Sequence, residues 1–77
     1  MERRALRAAL RAAQVADGYY WIEGVHEPVP TPVDHLYVRA ADNGRWEVGA
    51  YERGTHQVIL VHDSEEAACA HLLRLLT

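Results

Sequence analysis

The stretch that decides the fold is HLYVRAADNGRWEVGAYERGTHQVILVH, residues 35–62. It divides into three runs rich in β-branched and aromatic residues, 35–41, 45–52 and 57–62. Asp42-Asn43-Gly44 separates the first two, and Asn-Gly tolerates the positive φ that tight hairpin turns demand. Arg53-Gly54-Thr55, a short glycine-containing loop, separates the second from the third. Strands joined by connections this short can only pair antiparallel, so the segment predicts a three-stranded meander.

Upstream, residues 19–25 (Tyr-Tyr-Trp-Ile-Glu-Gly-Val) read as a further strand. The segment between it and the meander holds all three prolines, at 28, 30 and 32, which makes a stiff extended loop rather than a linker between domains. Residues 2–16 are rich in Ala, Leu and Arg and lack Gly and Pro, which predicts a helix that stops at Asp17-Gly18. Leu6, Leu10, Ala9 and Ala13 form its apolar stripe, while Arg3, Arg7 and Arg11 lie four apart on another face. Downstream, Asp63 with Glu66, or alternatively Ser64, caps a C-terminal helix whose buried stripe is Ala68, Cys69, Leu72, Leu73, Leu75 and Leu76. The order is α-β-β-β-β-α. Residues 1–77 therefore form a single α+β domain, with a mainly antiparallel four-stranded sheet and two terminal helices on one face.

Composition narrows the function. A chain of 77 residues buries only roughly 60–65% of its unfolded surface, so its core has little stability in reserve. One cysteine excludes an internal disulfide and a cysteine-based zinc site. There is no apolar run long enough to span a membrane, and Arg7 and Arg11 interrupt the stretch a signal peptide would need, so a cytoplasmic protein is expected. All eight basic residues are arginine and phenylalanine is absent, a bias towards GC-rich codons that points to a bacterial genome. The net charge of −3 divides unevenly: residues 1–16 carry +3 and residues 17–77 carry −6.

Five histidines invite a test for catalysis. His26, His35, His56, His62 and His71 show no HExxH spacing and no helical pair four apart. Cys69 and His71, two apart on a helix, point about 200° from each other and cannot share a ligand. Cys69 sits on the leucine stripe and reads as a small buried hydrophobe. With no phosphate loop, no GxSxG and no evident carboxylate pair, the expectation is a non-enzyme without cofactor or metal. Nucleic acid fares little better. The double-stranded-RNA-binding domain has a similar element order but contacts phosphates at its last helix, where this chain carries Asp63-Ser64-Glu65-Glu66.

The surface with more to say is the side of the sheet away from the helices. Alternation that turns Leu36, Val38, Ala40, Trp46, Val48, Ala50, Val58 and Leu60 towards the helices turns Tyr37, Arg39, Glu47, Gly49, Tyr51, Ile59 and Val61 away. The first strand adds Tyr19, Trp21 and Glu23 to that open face. Tyr, Trp and Arg are the residue types enriched at binding hot spots, so the face reads as a protein-binding surface or a site of self-association. A one-residue slip of register would reverse the two faces and turn these aromatics into core.

The segments Trp46-Glu47-Val48-Gly49-Ala50-Tyr51-Glu52-Arg53-Gly54 and Asp63-Ser64-Glu65-Glu66-Ala67-Ala68-Cys69, with Leu72-Leu73, resemble a group of small actinobacterial proteins. That group pairs a W-x-V-x-x-x-E-R-G hairpin with an acidic S/T-E-x-x-A-C-x-x-L helix, and His62 stands where it often has phenylalanine. Its members are similar to the immunity-like partners of polymorphic toxins. The resemblance covers roughly the last 35 residues. It implies a non-catalytic inhibitor that binds and masks a toxin or effector domain. An acidic body would steer it towards a basic partner, such as a toxin acting on nucleic acid. Trp21, Tyr37 and Tyr51 would then anchor the contact, with Glu23, Glu47 and Glu52 meeting arginines or lysines. Arg39 lies among them, and Glu52-Arg53-Gly54 either enters a cleft of the partner or is simply a structural turn. Two other readings remain: a small regulatory nucleic-acid-binding domain using Arg3, Arg7 and Arg11, and a homodimer that pairs its open sheet faces.

Overall fold

The structure, a computed structural model, describes residues 1–77. Helix α1 spans Arg3–Ala12, β1 Tyr20–Ile22, β2 Asp34–Ala40, β3 Trp46–Glu52, β4 Thr55–His62 and α2 Glu65–Leu76. The strands form one sheet in the order β1-β2-β3-β4. β2, β3 and β4 make the antiparallel meander, whereas β1 runs parallel to β2 with Tyr20 opposite Leu36 and Ile22 opposite Val38. A parallel neighbour needs a long return connection, and the proline-bearing loop between Ile22 and Asp34 supplies it.

Both turns use the left-handed backbone that their sequences allow. Asn43 and Gly44 lie at φ 60° and 73°, and the Ala41 N–H reaches across to the Arg45 carbonyl at 2.8 Å. Arg53 and Gly54 lie at φ 52° and 80° between the paired residues Glu52 and Thr55. At Arg53-Gly54 positive φ at both central positions is the two-residue hairpin geometry whose twist matches that of the strands, whereas Asp42–Gly44 form a three-residue loop closed by Ala41 and Arg45. Glu52-Arg53-Gly54 thus makes a tight turn at the sheet's end, with the Glu52 and Arg53 side chains exposed.

Helix α1 is shorter than expected. It ends at Ala12 rather than at Asp17-Gly18, and Gln14 takes the left-handed position at φ 61°. The Val15 N–H donates to the Leu10 carbonyl at 3.0 Å and the Gln14 N–H to the Arg11 carbonyl at 2.9 Å. This pair of bonds is a Schellman cap. Left-handed geometry costs a residue with a side chain roughly 1–2 kcal/mol. The two bonds and the packing of Val15 against the core offset that cost. At the start of α2 Ser64, not Asp63, is the cap, its hydroxyl accepting the Ala67 N–H at 3.1 Å.

Both helices cover the same face of the sheet. Leu6 and Leu10 of α1, Ala68, Cys69 and Leu72 of α2, and Tyr20, Ile22, Val38 and Val48 of the strands form one fully buried cluster. Burial pushes the Cys69 thiol up to about 11, consistent with a packing role. Every buried strand residue belongs to β1, β2 or β3. β4, the strand at the sheet's edge, contributes none. No helix is long and apolar enough to cross a membrane.

One register differs from simple alternation. Val48 pairs with Leu60 but Gly49 pairs with Val58, so β4 carries a bulge at Ile59. Val58 therefore shares the outer face with Gly49 instead of facing the helices, and His56 joins Tyr51 there.

Candidate functional site

The outer face of the sheet is built from β2 and β3, with β1 and β4 at its sides. His35, Tyr37 and Arg39 alternate along β2, opposite Tyr51, Gly49 and Glu47 of β3. Because Gly49 has no side chain, the Tyr37 ring lies across it. A Cβ at Gly49 would sit 2.7 Å from Tyr37 Cζ and 2.5 Å from the Gln57 carbonyl. Tyr37 is thereby 1% exposed, although no helix covers this side. Its hydroxyl donates to Glu47 Oε2. Burial together with that carboxylate raises the phenol well above its ordinary range.

Glu47 is the hub of the site. The same Oε2 accepts Arg39 Nε at 3.1 Å and lies 3.0 Å from Arg39 Nη2. The guanidinium in turn sits 5.2 Å from the Tyr37 ring centroid, within cation–π range. A second group adjoins it: Tyr51 stacks on His35 at 5.0 Å and meets His56 edge-on at 4.8 Å, and His56 also meets Tyr37 at 5.0 Å. Burial lowers the His56 pKa, and nearby Arg39 lowers it further, which favours the neutral ring.

Of the residues expected to contact a partner, Tyr37, Arg39, Glu47 and Tyr51 converge in this cluster. Trp21 lies beside them on β1, opposite Tyr37. Tyr37 is buried beneath the cluster, so the rings that can meet a partner directly are the partly exposed Tyr51 and Trp21. Glu23 has structural duties. Its N–H donates to the Val38 carbonyl, its carboxylate accepts the Ala40 N–H at 3.2 Å, and its carbonyl accepts Arg3 Nη1 at 2.7 Å. Glu52 and Arg53 stand apart at the sheet's end, lining a cleft of about 500 Å³ with Asp34, Thr55 and Gln57.

Three participants escaped the sequence reading. His35 and His56 were weighed only as catalysts, and the bulge that brings His56 onto the face leaves no mark in the pattern of alternation. The third is a pair at the far end of β4. His62 points to the helix side and its Nε2 lies 2.8 Å from His71 Nδ1 of α2. The location of His62 at the helix-facing end of a strand was the available signal. No group of three or more His, Cys, Asp or Glu side chains converges to hold a metal ion.

The arginine face of α1 divides. Arg3 is committed internally, with its backbone N–H and Nε both on Glu65 Oε2, at 2.9 Å and 3.0 Å, and its guanidinium 4.8 Å from the Trp46 ring centroid. Arg4, Arg7 and Arg11 instead line a cleft of about 480 Å³ with Ala8, Gly24 and Val25. Within it Arg7 Nε is buried without a hydrogen-bond partner. A comparison of the chain with family models finds no match, and comparisons with curated proteins and with solved structures find none either.

Proposed function

We propose that this chain is a non-catalytic protein-binding module that acts as an immunity-type protein, binding and masking a toxin or effector domain. The observation that carries the reading is the outer sheet face. No helix covers it, yet its aromatic and charged residues are held in place by one another. A face ordered before binding loses little side-chain freedom on association, which favours affinity without chemistry. Tyr51, Trp21 and Arg39 are of the types that dominate binding hot spots, and Glu47 supplies a fixed negative charge among them. The acidic body favours a basic partner.

Co-expression tests the reading. The gene adjoining this one in its native genome is expressed alone and then together with the wild-type chain or with Tyr51→Ala. Growth arrest by the neighbour, relieved by the wild type and restored by the variant, supports the proposal. A neighbour that is harmless, or one against which the chain gives no protection, contradicts it.

A second reading, a regulatory nucleic-acid-binding domain, draws on the cleft of Arg4, Arg7 and Arg11. Salt-dependent retention of duplex DNA or RNA that is lost on Arg7→Ala and Arg11→Ala would favour it.

A further inference from the structure

We propose that the cleft between α1 and the turn after β1 is a binding site for a small phosphomonoester, held by Arg4, Arg7 and Arg11. The cleft is a separate surface from the outer sheet face described above, and each can hold or fail without the other.

The sequence sets Arg4, Arg7, Ala8 and Arg11 at spacings of three and four, which is one face of a helix. Leu6 and Leu10 pin a neighbouring face of α1 in the core, so the arginine row is held in one orientation. Gly24 and Val25, in the turn closed by the Ile22–His26 bridge, supply the facing wall. The cleft so formed measures about 480 Å³, within the range of small-molecule sites.

The fold leaves the charges of this cleft uncommitted. Arg3 and Arg39 make the chain's two salt bridges, and Arg4, Arg7 and Arg11 make none. The acids flanking the facing wall in sequence are engaged elsewhere. Glu23 accepts the Ala40 N–H and Glu27 the Gly24 N–H, while the Asp17 carboxylate accepts the Tyr20 hydroxyl. Arg7 Nε is the one buried side-chain polar atom of the chain without a hydrogen-bond partner. An unpaired buried donor costs stability, and like charges one helical turn apart repel. A bound anion that accepts from all three side chains offsets both costs.

Donor chemistry selects phosphate. A guanidinium presents paired N–H groups that match the oxygens of a carboxylate or a phosphate. Three guanidinium groups lining one cleft call for more acceptors than the two oxygens of a carboxylate. A phosphomonoester offers three terminal oxygens and a charge of about −1.5 to −2. Ala8 and Val25 give its organic group an apolar wall. A long polyanion is disfavoured, because residues 17–77 carry −6 and repel phosphates that extend beyond the cleft.

Calorimetric titration of the full chain with phenyl phosphate, at fixed ionic strength, tests the proposal. One saturable site per chain is expected. Arg7→Met and Arg11→Gln should each weaken binding at least tenfold, whereas Arg53→Gln, at the hairpin turn, should leave it unchanged. Without ligand, Arg7→Met should melt no lower than the wild type, since it removes the unpaired donor and a repelling charge. An arginine with a purely structural role would instead lower the midpoint when replaced. Absence of saturable binding, or acetate bound as tightly as phenyl phosphate, would overturn the proposal. So would affinity that survives Arg7→Met or Arg11→Gln, a lowered ligand-free midpoint in Arg7→Met, or a short DNA duplex bound more tightly than phenyl phosphate at the same salt.

Discussion

β2 and β4 belong to one sheet and have similar lengths, yet their apolar side chains meet opposite fates. β2, Asp34-His-Leu-Tyr-Val-Arg-Ala40, is covered twice: Val38 is buried under the helices, and Tyr37 is buried on the outer face by the cluster centred on Glu47. β4, Thr55-His-Gln-Val-Ile-Leu-Val-His62, has the more apolar centre, and none of its residues is buried. Position in the sheet, not composition, decides burial here. The two strands also illustrate two ways of preparing a surface. Around β2 polar and aromatic groups are fixed in advance, whereas along β4 an apolar edge is left unpaired.

The sharpest way to break that comparison uses one residue type on both strands. Val38→Ala removes two buried methyl groups and should cost about 2–3 kcal/mol, from lost transfer energy and a residual cavity. Val58→Ala, measured where the chain is monomeric, should change stability by less than about 0.5 kcal/mol. Chemical denaturation gives both values, and similar losses would show that β4 is packed after all. Gly49→Ala probes the outer cover of β2. The added methyl must both displace Tyr37 and shift the Gln57 backbone, so a loss of about 1–3 kcal/mol is expected from overpacking. A neutral result would mean that Tyr37 does not rest on the sheet.

The smallest effect is a pH dependence. Burial, His62 and Arg74 lower the His71 pKa, and burial and Arg39 lower that of His56. Below the ordinary histidine value of about 6.5 the unfolded chain therefore binds more protons than the folded one. Stability is complete above that pH and declines as pH falls towards the lowered folded values. Denaturation midpoints at about pH 7.5 and about pH 5.5 should differ in that sense. His56→Gln/His71→Gln should shrink the difference, and an unchanged slope in that variant would assign it to other groups.

Much of the fold was legible in residues 35–62, because Asn43-Gly44 and Gly54 sit where only left-handed turns fit. The terminal helices followed from their leucine spacing. The end of α1 was misplaced, since Gly18 is the obvious terminator by type while Gln14 is favoured by Val15 packing behind it. The parallel sense of β1 was not legible, because a three-residue strand followed by a long loop carries no orientation signal. The outer face was read correctly along β2 and β3, where alternation is strict. It failed at Val58, because a bulge depends on the strain between two strands and not on either sequence. The burial of Tyr37 escaped for a related reason: it needs Gly49 directly opposite, a relation fixed only by register. Arg3 looked like one of a row of solvated arginines, and its bonds to Glu65 come from the packing of α1 on α2.

The central claim is that the ordered outer face, and not the open edge, recognises another protein. Titration calorimetry of the product of the adjoining gene, the partner under the proposed function, against the wild type, Tyr51→Ala and Leu60→Lys, tests it most directly. The account predicts that Tyr51→Ala weakens binding at least tenfold while Leu60→Lys leaves it unchanged. Full affinity in Tyr51→Ala with loss in Leu60→Lys would contradict it and move recognition to the β4 edge.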